Sequence, residues 1–89
     1  MTDQFGTQRI AVHAPDARTA LALERRLSHL EPTSVGRHDS WIVELDDDGD
    51  RLDEVLAAVR HWLREEGLES TSVNVDGVVH QIDAFAEVL

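Results

Sequence analysis

An Asp-Gly pair near the C-terminus constrains this 89-residue chain more than any other local feature. Asp76-Gly77 lies between Val73–Val75 and Val78–His80, two runs that favour β-strands. Asp-Gly is a preferred sequence for the two-residue type I′ turn, whose central residues both take positive φ. Such a turn fixes three cross-strand pairs, which are Val75 with Val78, Asn74 with Val79, and Val73 with His80. The sequence therefore predicts an antiparallel hairpin, with the strand before the turn beginning at Ser70.

The segment from Asp16 to Leu30 has the spacing of an amphipathic helix. Its apolar residues recur every three or four positions, at Ala20, Leu23, Leu27 and Leu30. Pro15 suits the first helical position, and Asp16 suits the first turn because a carboxylate there favours the helix dipole. Pro32 is expected to close the helix, since proline cannot continue it.

A second helix is predicted from Arg51 to Glu66. Its apolar stripe has the same spacing and consists of Leu52, Val55, Leu56, Val59 and Leu63. Gly67 follows at the position where helices commonly end in glycine. Trp62 flanks the stripe, so we expect it to cover the edge of the core and to stay partly exposed.

Alternating apolar and polar residues predict three further strands. They cover Arg9–His13, Thr33–Arg37 and Trp41–Leu45, and the last two form a hairpin around His38–Ser40. The predicted order is β-α-β-β-α-β with an extra C-terminal strand. This order resembles the ferredoxin-like, split βαβ architecture. The resemblance implies an antiparallel sheet with both helices on one face and the other face open.

The chain is expected to form a polar leader over residues 1–7 and a single α+β domain over residues 8–89. Residues 83–89 are predicted to form a short closing helix. The open sheet face is the predicted binding surface, and its members are Arg9, Ala11, His13, His38, Ile42, Glu44 and Asn74, with Gly36 beside them. Pairing of two copies is expected on this face or on the edge of the C-terminal hairpin.

The charge of the chain argues against several classes of partner. Eighteen acidic residues against eight basic ones give a formal net charge of −10. Nucleic acids and anionic membrane surfaces are bound largely through Lys and Arg, so neither is an expected partner. No apolar run approaches the roughly 20 residues that a membrane span needs. The chain has no cysteine, which is typical of a reducing compartment, and we expect a cytoplasmic protein.

All five histidines have the chemistry of metal ligands, but their spacing matches no recognised metal-binding motif. His13 and His38 are expected to approach each other on the open face, where Glu44 or Asp39 would complete a site of two histidines and one carboxylate. The alternative is that His13 and His38 are separate surface histidines that bind no metal. A third histidine, His80, pairs with a buried strand position, so we expect it to be half-buried.

The acidic run from Asp46 to Asp50 invites comparison with a calcium loop. Asp46, Asp48 and Asp50 fall at alternate positions, but the bidentate glutamate of an EF-hand would fall at Val55, which cannot bind calcium. Capping of the second helix by Asp48 or Asp50 explains these acids more simply. We therefore predict no bound metal and no cofactor.

No nucleophile, phosphate-binding or dinucleotide-binding motif is present, and we predict no catalytic residue. The expected function is a non-catalytic interaction module that binds itself or another protein. One alternative is a small-ligand regulatory domain that resembles ACT-type modules, which commonly bind amino acids at subunit interfaces. Its ligand loop would be His13–Asp16. The other alternative is a small metal-dependent enzyme that uses His13 and His38.

Overall fold

The computed structural model describes residues 8–37, 40–47 and 51–84. It contains five strands and two α-helices, so the prediction of an α+β domain is confirmed. The strands are β1 (Gln8–Ala14), β2 (Thr33–Arg37), β3 (Ser40–Asp47), β4 (Ser70–Val75) and β5 (Val78–Asp83). The helices are α1 (Ala17–Arg26) and α2 (Leu52–Glu66), and a 3₁₀ turn covers Ser28–Leu30. No helix within these ranges is long and apolar enough to cross a membrane.

The five strands form one sheet in the order β2-β3-β1-β4-β5. Every neighbouring pair is antiparallel. β1 lies in the centre because it pairs with β3 on one side and β4 on the other, while β2 and β5 form the two edges. The predicted β2–β3 hairpin is present, with Arg37 opposite Ser40.

The core lies between the two helices and one face of the sheet. Burial alternates along β1: Ile10 and Val12 are fully buried, while Arg9 and His13 are exposed. The opposing side chains from the helices are also fully buried and include Leu23, Val55, Val59 and Leu63. Burial of each such side chain contributes about 1.5–3 kcal/mol of transfer free energy, so this alternation fixes which sheet face the helices cover.

Helix α1 begins one residue later than predicted and ends earlier. Asp16 is the N-cap rather than part of the first turn, and Pro15 precedes it. The Asp16 carboxylate accepts a hydrogen bond from the Thr19 amide at 2.9 Å, and the Thr19 hydroxyl accepts one from the Asp16 amide at 3.3 Å. These contacts form a capping box. The Thr19 amide, followed by the Thr19 hydroxyl, lowers the pKa of the Asp16 carboxyl because both hydrogen bonds favour its charged form.

Trp62 is buried in the core rather than partly exposed at its margin. Only 1% of its surface is accessible, and its indole Nε1 donates a hydrogen bond to the Thr19 carbonyl at 2.8 Å. The hydrogen bond ties α2 to the first turn of α1 and satisfies the one polar atom of the ring. Leu52 and Leu56, expected in the buried stripe, are only partly buried.

The ends of α2 are set by two local features. The Arg51 amide, just before the helix, donates to the Asp47 carboxylate at 3.1 Å. The predicted caps Asp48 and Asp50 lie outside the described residues. At the other end Gly67 has φ +72°, a left-handed conformation that favours glycine, as predicted.

The C-terminal hairpin agrees with the prediction in both turn type and register. Asp76 and Gly77 have φ values of +55° and +89°, as a type I′ turn requires. All three predicted cross-strand pairs are present. Asp83 belongs to β5, so the predicted closing helix is wrong at that residue. Ala84 forms a turn rather than a helix, and residues 85–89 and the predicted leader, 1–7, lie outside the described residues.

We expect Gly77→Val to lower the free energy of unfolding by about 1–3 kcal/mol, because a β-branched residue at positive φ is strained. Apart from the two chain neighbours of Gly77, no atom of the described residues lies within 4 Å of the position that a Cβ would take, so the cost is conformational rather than steric. Gly77→Asn is the matched control, since Asn tolerates positive φ and should cost much less. Equilibrium urea unfolding of the three proteins measures the difference, and equal midpoints would contradict this account of the turn.

Candidate functional site

The sheet face opposite the helices carries six of the predicted binding residues. Across the three central strands Ala11 lies between Glu44 and Asn74, and His13 lies opposite Ile42. Arg9 lies two residues before Ala11 on β1, on the same face, and pairs with Asp46. We call this surface the open face. Ala11, Ile42, Glu44 and Asn74 are partly buried there by their neighbours, while Arg9 and His13 are exposed.

Of the other two residues assigned to the open face, Gly36 lies on the opposite side of the sheet. Gly36 pairs with Trp41, and Trp41 packs against the core on the helix side, so the assignment of Gly36 was wrong. The Trp41 ring lies 3.0 Å from the position that a Cβ on Gly36 would occupy, which explains why this strand position is glycine. His38 lies outside the described residues, so its predicted approach to His13 stays a prediction.

Arg9 is paired with acidic neighbours on the open face. Its Nε lies 3.1 Å from the Asp46 carboxylate, and its Nη1 lies 3.6 Å from that of Glu44. The Arg9 carbonyl accepts a hydrogen bond from the Asp76 amide at 2.9 Å, which connects β1 to the C-terminal turn. These contacts place the guanidinium between two carboxylates and leave this end of the face acidic.

A shallow cleft of about 380 Å³ lies next to this charged cluster. Its lining includes Glu31, Thr33 and Leu45 in addition to Arg9 and its two acids. Asp46, the one calcium candidate within the described residues, is bound to Arg9. Among the residues that the structure describes, no three His, Asp or Glu side chains form a group that could hold a metal ion.

The histidines of the described chain lie in separate places. His29 forms a 2.7 Å contact with Glu54 between the 3₁₀ turn and α2. The carbonyl of His13, in the segment of the proposed ligand loop, accepts a hydrogen bond from the Thr71 hydroxyl. His80 is exposed rather than half-buried as expected, because it lies on edge strand β5.

The C-terminal hairpin exposes two consecutive large apolar side chains. Val78 and Val79 are 58% and 64% exposed, and the remaining exposed large hydrophobic residue of the described chain is Leu21, at 47%. Sequence reasoning named the hairpin edge but neither valine. The sequence did contain an indication of their exposure. Two adjacent residues in a strand project to opposite faces, so both are buried only where both faces of the sheet are covered.

The outer side of β5 presents a row of backbone groups. A two-residue turn makes Val75 and Val78 a hydrogen-bonded pair, and hydrogen bonding to β4 then alternates along β5. The Ala84 amide donates to the Glu69 carbonyl at 2.8 Å, in phase with that alternation. The N–H and C=O groups of Val79, Gln81 and Asp83 therefore point away from β4.

The structure thus offers two candidate surfaces, the charged open face and the β5 edge with its two valines. No family model, curated protein or solved structure matches this chain. The choice between the two surfaces accordingly depends on their physical chemistry.

We expect Arg9→Gln to destabilise the fold by about 0.2–1 kcal/mol, because the pairing of one guanidinium with the exposed Asp46 and the partly buried Glu44 is lost. The loss should shrink in about 0.5 M salt, which screens exposed charges. Arg25→Gln is the control, since it removes the same charge at an exposed position that has no ion pair among the described residues, and it should lose less. Thermal unfolding at low and high salt gives the comparison, and an equal effect of both variants would argue against the paired cluster.

Proposed function

We propose that this domain is a non-catalytic interaction module that associates with a second copy of itself through the β5 edge. The observation that carries the proposal is the pair of exposed valines, Val78 and Val79, on a strand whose outer backbone groups lack a neighbouring strand among the described residues. An unpaired strand edge with apolar side chains is a ready template for another strand. Pairing would satisfy the backbone groups and reduce the exposure of both valines to water.

For the fold, we propose a ferredoxin-like, split βαβ domain enlarged by one strand. The elements from β1 to β4 follow the β-α-β-β-α-β order, and β5 is an addition at the edge of β4. In this interpretation β5 is not needed to complete the core sheet. An added edge strand is therefore available for binding.

Electrostatics favours the β5 edge over the open face. The open face carries Arg9 between Glu44 and Asp46, and burial of these groups in an interface would remove charges from water at a cost. From Val78 to Ile82 the β5 edge has no Asp, Glu, Lys or Arg. Two copies with a net charge of −10 each repel one another, so a neutral segment is where they approach most easily.

The opposite edge of the sheet is less suited to pairing. β2 has five residues and follows directly after Glu31 and Pro32, and a proline or a charge beside a short edge strand discourages strand addition. It also contains Gly36, which offers no side chain to pack against an added strand and whose helix-side surface is covered by the Trp41 ring. β5 contains neither glycine nor proline.

Solution mass measured by light scattering tests the proposal. We expect the wild-type mass to rise from 10.0 kDa towards twice that value between about 1 µM and about 1 mM protein. Val79→Glu should stay monomeric, because it places a new charge at the edge. Leu21→Glu is the matched control: it adds the same charge at the remaining exposed large hydrophobic residue of the described chain, and it should associate like the wild type.

Two results would overturn this function. One is a wild-type protein that stays at 10.0 kDa over the whole concentration range. The other is an equal response to Val79→Glu and Leu21→Glu, which would mean that net charge rather than the β5 edge controls association.

A further inference from the structure

We infer that two copies join their β5 strands antiparallel around a two-fold axis at Gln81, which makes one sheet of ten strands. The inference rests on the proposed function and specifies its partner geometry. It depends on three observations: which backbone groups point outward, which residues share a sheet face, and where the acidic residues lie.

The outward backbone groups limit the possible pairings. Val79, Gln81 and Asp83 direct their N–H and C=O groups away from β4, whereas Val78, His80 and Ile82 direct theirs towards it. Only the first three residues can form a hydrogen-bonded pair with a second copy. A pairing that uses all three residues in both copies forms the largest number of backbone hydrogen bonds between the two strands.

Face parity limits the pairings further. Residues directly opposite in an antiparallel pair project to the same face of the sheet. Val79, Gln81 and Asp83 project to the open face, since their β4 partners are Asn74, Ser72 and Ser70. The axis is therefore perpendicular to the sheet and passes beside a residue of β5 rather than between two residues. All four helices of the pair then lie on one side.

A two-fold axis at Gln81 satisfies every outward group. Gln81 pairs with Gln81 of the second copy, and Val79 pairs with Asp83 of the second copy, twice by symmetry. The three donors and three acceptors of each copy are then all used. In the single copy the Gln81 side chain donates a hydrogen bond to the Ser70 hydroxyl at 2.8 Å. In the proposed dimer the two Gln81 side chains become neighbours on the open face.

The competing register places the axis at His80 and is less favourable. It pairs Val79 with Gln81 and moves Asp83 opposite Gly77 of the second copy, next to Asp76. Two carboxylates then lie close together at each end of the interface, and like charges across a strand pair are destabilising. Asp83 also has a poorer backbone partner there, because the Gly77 amide already donates to the Asn74 side chain at 2.8 Å.

Disulfide trapping distinguishes these registers cleanly, because the chain has no cysteine of its own. With the axis at Gln81, the two Gln81 Cα atoms lie about 5.5 Å apart, within the range of a disulfide. The two His80 Cα atoms lie about 7–8 Å apart, beyond that range. We expect Gln81→Cys to form a covalent dimer under mild oxidation at least about tenfold faster than His80→Cys.

A charge substitution provides a second readout that needs no covalent bond. Val79→Lys faces Asp83 of the second copy in the proposed register, so it should lower the dimer dissociation constant about two- to fivefold relative to Val78→Lys. The two variants carry the same net charge, and both replace an exposed valine of the same strand. Light scattering over a dilution series measures both constants.

The outcomes separate this inference from the function it rests on. Faster trapping at Gln81 together with tighter association of Val79→Lys supports the proposed axis. A wild-type dimer that is trapped faster at His80, or at neither residue, overturns the axis and leaves self-association established. A wild-type protein that remains monomeric overturns both.

Discussion

The antiparallel pairing of β1 on both of its sides is the interaction on which the rest of the structure depends. Ile10 and Val12 are fully buried between the helices and the sheet, and the two cross-strand partners of Val12, which are Val43 and Val73, are equally buried. Because side chains alternate along a strand, burial of this set fixes the opposite set on the open face. A shift by one residue in either pairing would expose the core and bury Arg9, so the register of the whole sheet follows from β1.

The sheet is wider than the layer that covers it. An α-helix with its side chains is about 10–12 Å across, and neighbouring strands are about 4.8 Å apart, so two helices cover roughly four strands. The fifth strand therefore extends past the helices. Ile82 is still buried near the end of β5, but Val78 and Val79 at its start are not. The exposure of Val78, which projects to the helix side, is thus a consequence of five strands packed against two helices, whereas Val79 projects to the open face, which neither helix covers.

The sequence predicted the features that depend on neighbouring residues and missed those that depend on how distant elements pack. Local signals determined the type I′ turn at Asp76-Gly77, its register and the left-handed Gly67, because each depends on a few adjacent residues. The six open-face residues followed from alternation alone. The position of Trp62 did not, since its burial depends on how α1 packs against α2 and on the Thr19 carbonyl that accepts a hydrogen bond from its indole. Gly36 was misplaced because a one-residue error in parity moves a side chain to the other face.

Closure of the proposed dimer depends on the difference between the two sheet edges. If β5 paired with β2 of the next copy, each addition would leave a new β5 edge, and growth would not end. Pairing of β5 with β5 consumes both of these edges and leaves two β2 strands outside. Pro32 precedes β2 and the Trp41 ring covers Gly36, so these outer strands are poor acceptors for a further strand. The asymmetry between the edges therefore favours a closed pair over a filament.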